Sequence, residues 1–446
     1  MLLLRPVIAV CFLVLIVSPI VTSPVIAADL VGDGVADDTV AIQAMVDRLK
    51  GSVRFPSGTY RITRPIVIDL ARCDSASVGG DGRVRLIMDG PGPALDIVGT
   101  HDGTAAPQSV RERVWQWQNS PVIADLEIVG NHPESGGVRL AGTMQPTLRD
   151  LTIRKTRHAI HLVGRNRNVI VRDCHLYENT GVGLFFDAVN LHQTNITGSH
   201  ISYNAGGGIV IRGGDVRNVH ITGCDIEGNM GDEAAPPAAN VWLVSGNGSI
   251  GEVAITGCTI QHAHEAADSA NIRIDLRSNP VRVTEELRHG NITISGNVLS
   301  DTQVNVHLLH ARGATINGNT IWKGYHANVL LQDCEAITLT GNAMDRNPRY
   351  HYGDGDQAKL GVRLEDCSKC ILSANVINGV GLREAALELQ GCDDINVLGN
   401  TIMDSHAKAV IINDCRKCRV TNCIFENESA IEVKDSQDIL VSDNGS

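Results

Sequence analysis

An apolar residue returns thirteen times at a nearly constant interval, and this repeat constrains the chain more than any other feature. The anchors are Ile123, Leu148, Val171, Ile196, Ile221, Ile255, Ile294, Ile316, Leu339, Leu372, Val397, Val420 and Val441. The steps between them are 25, 23, 25, 25, 34, 39, 22, 23, 33, 25, 23 and 21 residues. A second apolar residue follows five positions later, from Ile128 to Phe425. Each unit then carries an alternating pair such as Val241/Leu243, Ile272/Ile274 or Val306/Leu308. Period-two alternation specifies strands with one buried face, and the intervening Gly, Asn and Asp supply turns. A unit of about 22–25 residues cannot bury its apolar face alone, so neighbouring units must stack. The expected fold is all-β: a single-stranded parallel β-helix of about 12–15 coils. Twelve steps at the ~4.8 Å strand spacing give a rod of about 58 Å.

Composition agrees with a thin core. The 446 residues include 45 Gly but only 5 Phe, 4 Trp and 6 Tyr. Aromatic rings usually fill thick cores, so this interior must be built from Val, Ile, Leu and small residues. The net charge of −12, from 38 basic and 50 acidic residues, excludes a non-specific nucleic-acid binder, which needs a basic footprint.

Three residues after the anchors runs a ladder that includes Asn297, Asn319, Asn342, Asn375 and Asn400. Stacked primary amides both donate and accept, so these Asn read as structural rungs rather than ligands. The column Cys334, Cys367, Cys392 and Cys415 follows the same repeat and reads as free, buried thiols. No metal site is expected from the CxxC pairs, because the repeat already explains their spacing.

The first residues have the layout of a secretory signal: Arg5, an apolar run from Val7 to Val21, then small residues near Ala27. Residues 1–27 are therefore expected to be removed on export to the periplasm or the exterior, with no membrane attachment afterwards. The remaining 28–446 read as one β-helix: a cap over 28–52, irregular first coils over 53–120, and regular coils over 121–446. In the cap, Asp37, Asp38 or Thr39 can begin a short helix whose apolar stripe is Ile42, Met45, Val46 and Leu49. Such a helix hides the open edge of the first coil. No amphipathic cap is visible after Val441, so polar residues or a second copy of the chain should cover that edge, which leaves a homo-oligomer open.

The strings GDGVADDTVAIQ and VRFPSGTY, residues 32–43 and 53–60, resemble the N-terminal motif of the pectate-lyase-like superfamily of right-handed parallel β-helix proteins. The resemblance implies a right-handed coil and a polysaccharide as substrate or partner. That group includes polysaccharide lyases, epimerases, polygalacturonases and phage tailspikes. The NTD, GHG and RIK motifs of the polygalacturonases are absent, and Asp393–Asp394 is a DD pair without its companions. The polygalacturonase mechanism is therefore not carried over.

Outward positions of the last strand in each coil form two columns. The first contains Trp242, Arg273, His307, Arg363 and Glu388; the second contains Asp187, Arg212, Asp275 and Glu365. Long steps insert residues 230–240, 261–271, 277–290 and 345–360 beside them, and long loops in a compact repeat are usually functional. An elongated groove suits a polymer. Lyase or epimerase chemistry on a uronate needs the sugar carboxylate neutralised and a base at the adjacent C–H. Arg212, Arg273, Asp275 and His307 are the candidates for this chemistry, with Asp187, Trp242, Arg363, Glu365 and Glu388 as substrate contacts. Ca²⁺ is the one cofactor left open. Glu365 and Glu388 keep an inverting hydrolase in view, and a non-catalytic glycan-binding scaffold is the rival of a different class. Weaker candidates are Trp115 and Trp117, alternating as if on one face of a strand, the acidic Asp354 and Asp356, and the pair His262 and His264.

Overall fold

Alternation at the anchors does produce stacked strands. The computed structural model describes residues 30–246, 248–276, 290–346, 358–405, 408–426 and 430–445. The signal-like segment, the Asp354/Asp356 loop and most of the insertion after Asp275 lie outside them. Each regular coil contributes three strands; one coil, for example, comprises Ser249–Thr256, Thr259–Gln261 and Ala270–Asp275. The strands pair in parallel with their equivalents one coil away. The predicted anchors form one unbroken register, Ile123 to Leu148, Val171, Ile196 and onward to Val441. The column continues backwards through Val78 and Val53. Successive residues face alternately in and out, so the anchors from Ile123 to Val420 and their partners line one continuous apolar interior, while Val441 in the last partial coil is exposed.

The cap is a helix, Thr39–Arg48, with Ile42, Met45 and Val46 buried. Asp38 holds the N-cap position but its side chain does not cap; it accepts from the Val31 and Gly32 amides at 2.8 and 3.2 Å instead. Asp37 does the capping work, accepting from the Thr39 amide at 3.0 Å and from its hydroxyl. The first coils are interrupted by a short helix, Glu112–Trp117. This corrects the expectation for Trp115 and Trp117: two residues apart on a helix they face different ways. Trp115 packs on Val110, Val114 and Met144, while Trp117 is exposed.

Two amide ladders run along the rod. The anticipated one links Asn297, Asn319, Asn342, Asn375 and Asn400 through side-chain bonds of 3.0, 2.9, 3.0 and 2.9 Å. A residue in the left-handed region precedes each rung; four of these five are Gly, which adopts that conformation without a Cβ clash. A second ladder escaped the sequence reading. Asn179, Asn204, Asn229, Asn240, Asn271, Asn305 and Asn328 are joined at 2.7, 2.7, 2.8, 2.8, 2.8 and 3.0 Å. The first three follow the short middle strand and the last four lie within the third strand, so no single offset from the anchor describes them. Asn271 also donates to the Ser300 carbonyl at 2.8 Å. Replacing Asn271 by Leu would leave that carbonyl and the Asn305 carbonyl oxygen buried without this donor. Each costs about 1–3 kcal/mol. We expect a loss of about 2–3 kcal/mol in urea unfolding at an unchanged slope; a loss under about 0.5 kcal/mol would show the ladder to be passive. The cysteines Cys73 through Cys423 are free and buried, as expected, and burial pushes the Cys174 thiol up to about 11.

Candidate functional site

The third strand of each coil turns its core pair inward and its other residues outward, which builds the two expected columns. The first runs in register through His161, Phe185, Val210, Trp242, Arg273, His307, Leu330, Arg363 and Glu388. The second runs beside it through Asp187, Arg212, Val244, Asp275, Leu309, Gln332, Glu365 and Gln390.

At the centre, cations and rings alternate. The Arg212 guanidinium lies 5.7 Å from the centroids of both Phe185 and Trp242, and that of Arg273 lies 5.5 Å from Trp242 on the next coil. His161 stacks on Phe185 at 5.3 Å with the rings 7° from parallel. Each guanidinium lies against a ring, whose quadrupole attracts it. Arg273 also donates to the Asp268 carbonyl at 3.1 Å, which fixes its direction. The Trp242 indole Nε1–H is shielded from solvent and has no acceptor among the described residues. A buried donor without a partner is costly, and a ligand oxygen would satisfy it.

His307 sits one coil beyond Arg273. It is 9 % exposed, less than an outward position implies, because neighbouring side chains cover it. Its Nε2 meets the Gln332 Oε1 at 2.8 Å, and the Gln332 amide donates to Glu365 at 2.6 Å. Since Gln332 uses its oxygen toward His307 and its NH₂ toward Glu365, the His307 proton belongs on Nε2 and the lone pair on Nδ1. Burial pushes the His307 pKa down and Arg273 adds to this, while the Gln332 bond opposes it.

Other candidates are tied up differently from expectation. Asp187 contacts His161 Nε2 at 3.1 Å. Asp275 is bonded to His310 Nδ1 at 3.2 Å, at the turn that follows the groove strand. Glu365 lies 2.6 Å from Arg363 Nε, an ion-pair contact whose N–H direction misses the oxygen, so it is not a hydrogen bond. Glu388 is clamped by Arg383 through bonds of 2.8 and 2.9 Å and lies 3.7 Å from Arg363.

Shallow depressions mark both ends of the columns. One of about 290 Å³ is bordered by Arg139, His158, His161, Phe185 and Asp187. Another of about 440 Å³ is bordered by His326, Lys359, Arg363, Arg383, Glu388 and Lys434. From His161 to Glu388 there are eight coil steps, roughly 38 Å at the ~4.8 Å strand spacing.

The sequence reading named His262 and His264 but missed the buried polar knot they belong to, on the far rim of this face. Asp301 is 3 % exposed at its side chain and receives Lys323 Nζ at 3.0 Å and His262 Nδ1 at 2.5 Å. Tyr325 donates to it at 3.4 Å, and His264 stacks on Tyr325 at 5.0 Å. The alignable signal was weak: His262, Asp301 and Lys323 stand at equivalent turns with positive φ, but no repeat of residue type advertises them. Among the described residues no three His, Cys, Asp or Glu side chains converge as a metal-ligand set, and no helix is long and apolar enough to cross a membrane.

Comparison with known proteins places the architecture. A family model described as right handed beta helix region matches residues 116–260. One described as periplasmic copper-binding protein (NosD) matches residues 242–444. No curated protein matches by sequence. The tailspike of E. coli bacteriophage HK620, solved in complex with a pentasaccharide, superposes over 92% of this chain and 77% of its own, with TM-score 0.53 and 11% identity. The Dettilon tailspike superposes over 93% of this chain with TM-score 0.51 and 14% identity. The chain spans 66% of that tailspike, just under two thirds of its length. The coil register, the N-terminal motif and these likenesses agree: the chain is a right-handed parallel β-helix protein.

Proposed function

We propose that this is an exported protein that binds an acidic polysaccharide along the outer face of its third strands and modifies it by proton abstraction, as a lyase or an epimerase does. The alternation of Arg212, Trp242 and Arg273, ending at His307, carries this reading. The two guanidiniums can neutralise uronate carboxylates, the indole face can stack on a sugar ring, and its orphan N–H can donate to a ligand oxygen. His307 presents an uncharged imidazole on the adjacent coil for the C–H beside the carboxylate. Asp187, Arg363, Glu365 and Glu388 would line the same track. The pentasaccharide held by the HK620 tailspike shows that this fold can carry a glycan, and the periplasmic family description together with the signal-like N-terminus supports export.

The test is incubation of the mature protein with polygalacturonate, alginate and glucuronan, with and without Ca²⁺. Absorbance of unsaturated uronate identifies a lyase, and inversion at C5 seen by NMR identifies an epimerase. New reducing ends without unsaturation would replace the proposal with hydrolysis. Binding without turnover would leave a glycan-binding scaffold, a reading that the ring-locked arginines also fit. Trp242→Ala should weaken polymer binding about tenfold, the usual cost of a lost stacking contact with a cation on each side.

A further inference from the structure

A second groove lies on a different face and is built from different chemistry. At the corner between the third strand of one coil and the anchor strand of the next, Ser120, Gln145, Asn168, Gln193 and Asn218 share a left-handed backbone, with φ of 53°, 55°, 54°, 69° and 57°. Their side chains therefore project in the same direction on five successive coils, over roughly 19 Å at ~4.8 Å per step. Beside them Thr147, Ile170, Asn195 and His220 stand in register on the anchor strands. Together these residues border a depression of about 550 Å³ that no carboxylate, lysine or arginine lines.

The amides of this corner differ from the interior ones. Every interior rung is bonded to its neighbour, whereas Asn168 Oδ1 is shielded from solvent and accepts from no group among the described residues. A shielded acceptor costs free energy until something donates to it. Each primary amide offers both donors and an acceptor, the complement of a hydroxyl that does the same.

We propose that this corner is a binding site for a neutral, polyhydroxylated chain, an uncharged oligosaccharide, separate from the acidic-polymer track. Recognition is by hydrogen bonds from Gln145, Asn168, Gln193 and Asn218, with Asn195 and His220 beside them. Having no carboxylate, lysine or arginine to contribute, the site should bind with little salt dependence, unlike a track built on Arg212 and Arg273.

The experiment is affinity electrophoresis and calorimetry of the mature protein against xylan, galactomannan and dextran, at low and high salt. Glycine adopts the left-handed backbone freely, so Asn168→Gly, Gln193→Gly and Asn218→Gly remove the amides without straining the coil. The triple variant should keep the melting temperature to within a few degrees and lose at least tenfold in affinity for the neutral chain. Its action on uronate polymers should not change, and Trp242→Ala should leave neutral-chain binding intact. Absence of binding to all three neutral polymers overturns the proposal. So does a triple variant that folds and binds as before, or a bound chain released by Trp242→Ala.

Discussion

Replacing His307 by Gln is expected to lower turnover of the acidic polymer by 10²–10⁴-fold, about the range a general base contributes. Glutamine can still donate toward Gln332 and fills most of the same volume, so the melting temperature should move little. The pH profile offers a second readout. A base must be uncharged, and burial together with Arg273 holds the His307 imidazole below its ordinary value of 6.5. Activity should therefore rise with pH through an acid limb lying below 6.5 and show no further gain above neutrality from this group. Arg273→Ala should move that limb upward toward 6.5, because it removes a positive neighbour. A His307→Gln enzyme within threefold of the parent rate would place the base elsewhere.

Asp301→Ala should be the most damaging single change to stability. It removes the carboxylate that Lys323, 5 % exposed, His262 and Tyr325 share. Breaking a buried pair from one side costs about 3–5 kcal/mol. Adding Lys323→Met should recover a large part of that loss, as an apolar residue carries no desolvation penalty. The sign of the pH effect follows from Asp301 itself. Burial pushes its carboxyl up, but the His262 hydrogen bond and the Lys323 hydrogen bond and charge outweigh burial and hold it below 3.8. A depressed carboxyl contributes stability fully above its unfolded value and loses it as pH falls through the folded one. The parent protein should thus lose this contribution below about pH 4, and the double variant should not. Equal acid sensitivity of the two would show that the knot is not what acid breaks.

Most of the fold was legible because one physical demand recurs. Every coil must bury the same positions, so Ile123 and its equivalents announce themselves through period and alternation. The same arithmetic placed both outward columns, and the register follows them without a slip from His161 to Glu388. What escaped was whatever depends on side-chain direction rather than position. The alternation of Trp115 and Trp117 is equally written by a short helix. That Glu388 would face Arg383, five residues upstream, could not be read from columns that follow coil-to-coil neighbours. The Asn179–Asn328 ladder changes its offset midway, so a search at fixed spacing sees two unrelated fragments.

That change of offset has a consequence for how the rod tolerates alteration. Asn229 and Asn240 are consecutive rungs, bonded at 2.8 Å, yet eleven residues apart in the same chain. The ten residues between them leave the wall at one rung and return at the next. Their ends are held together by the very contact that continues the interior, like a hem stitched shut at its base. Such a segment can be lengthened, exchanged or cut while the wall on either side stays closed. A solenoid that seals its detours this way can acquire new surface loops beside its groove without renegotiating its core.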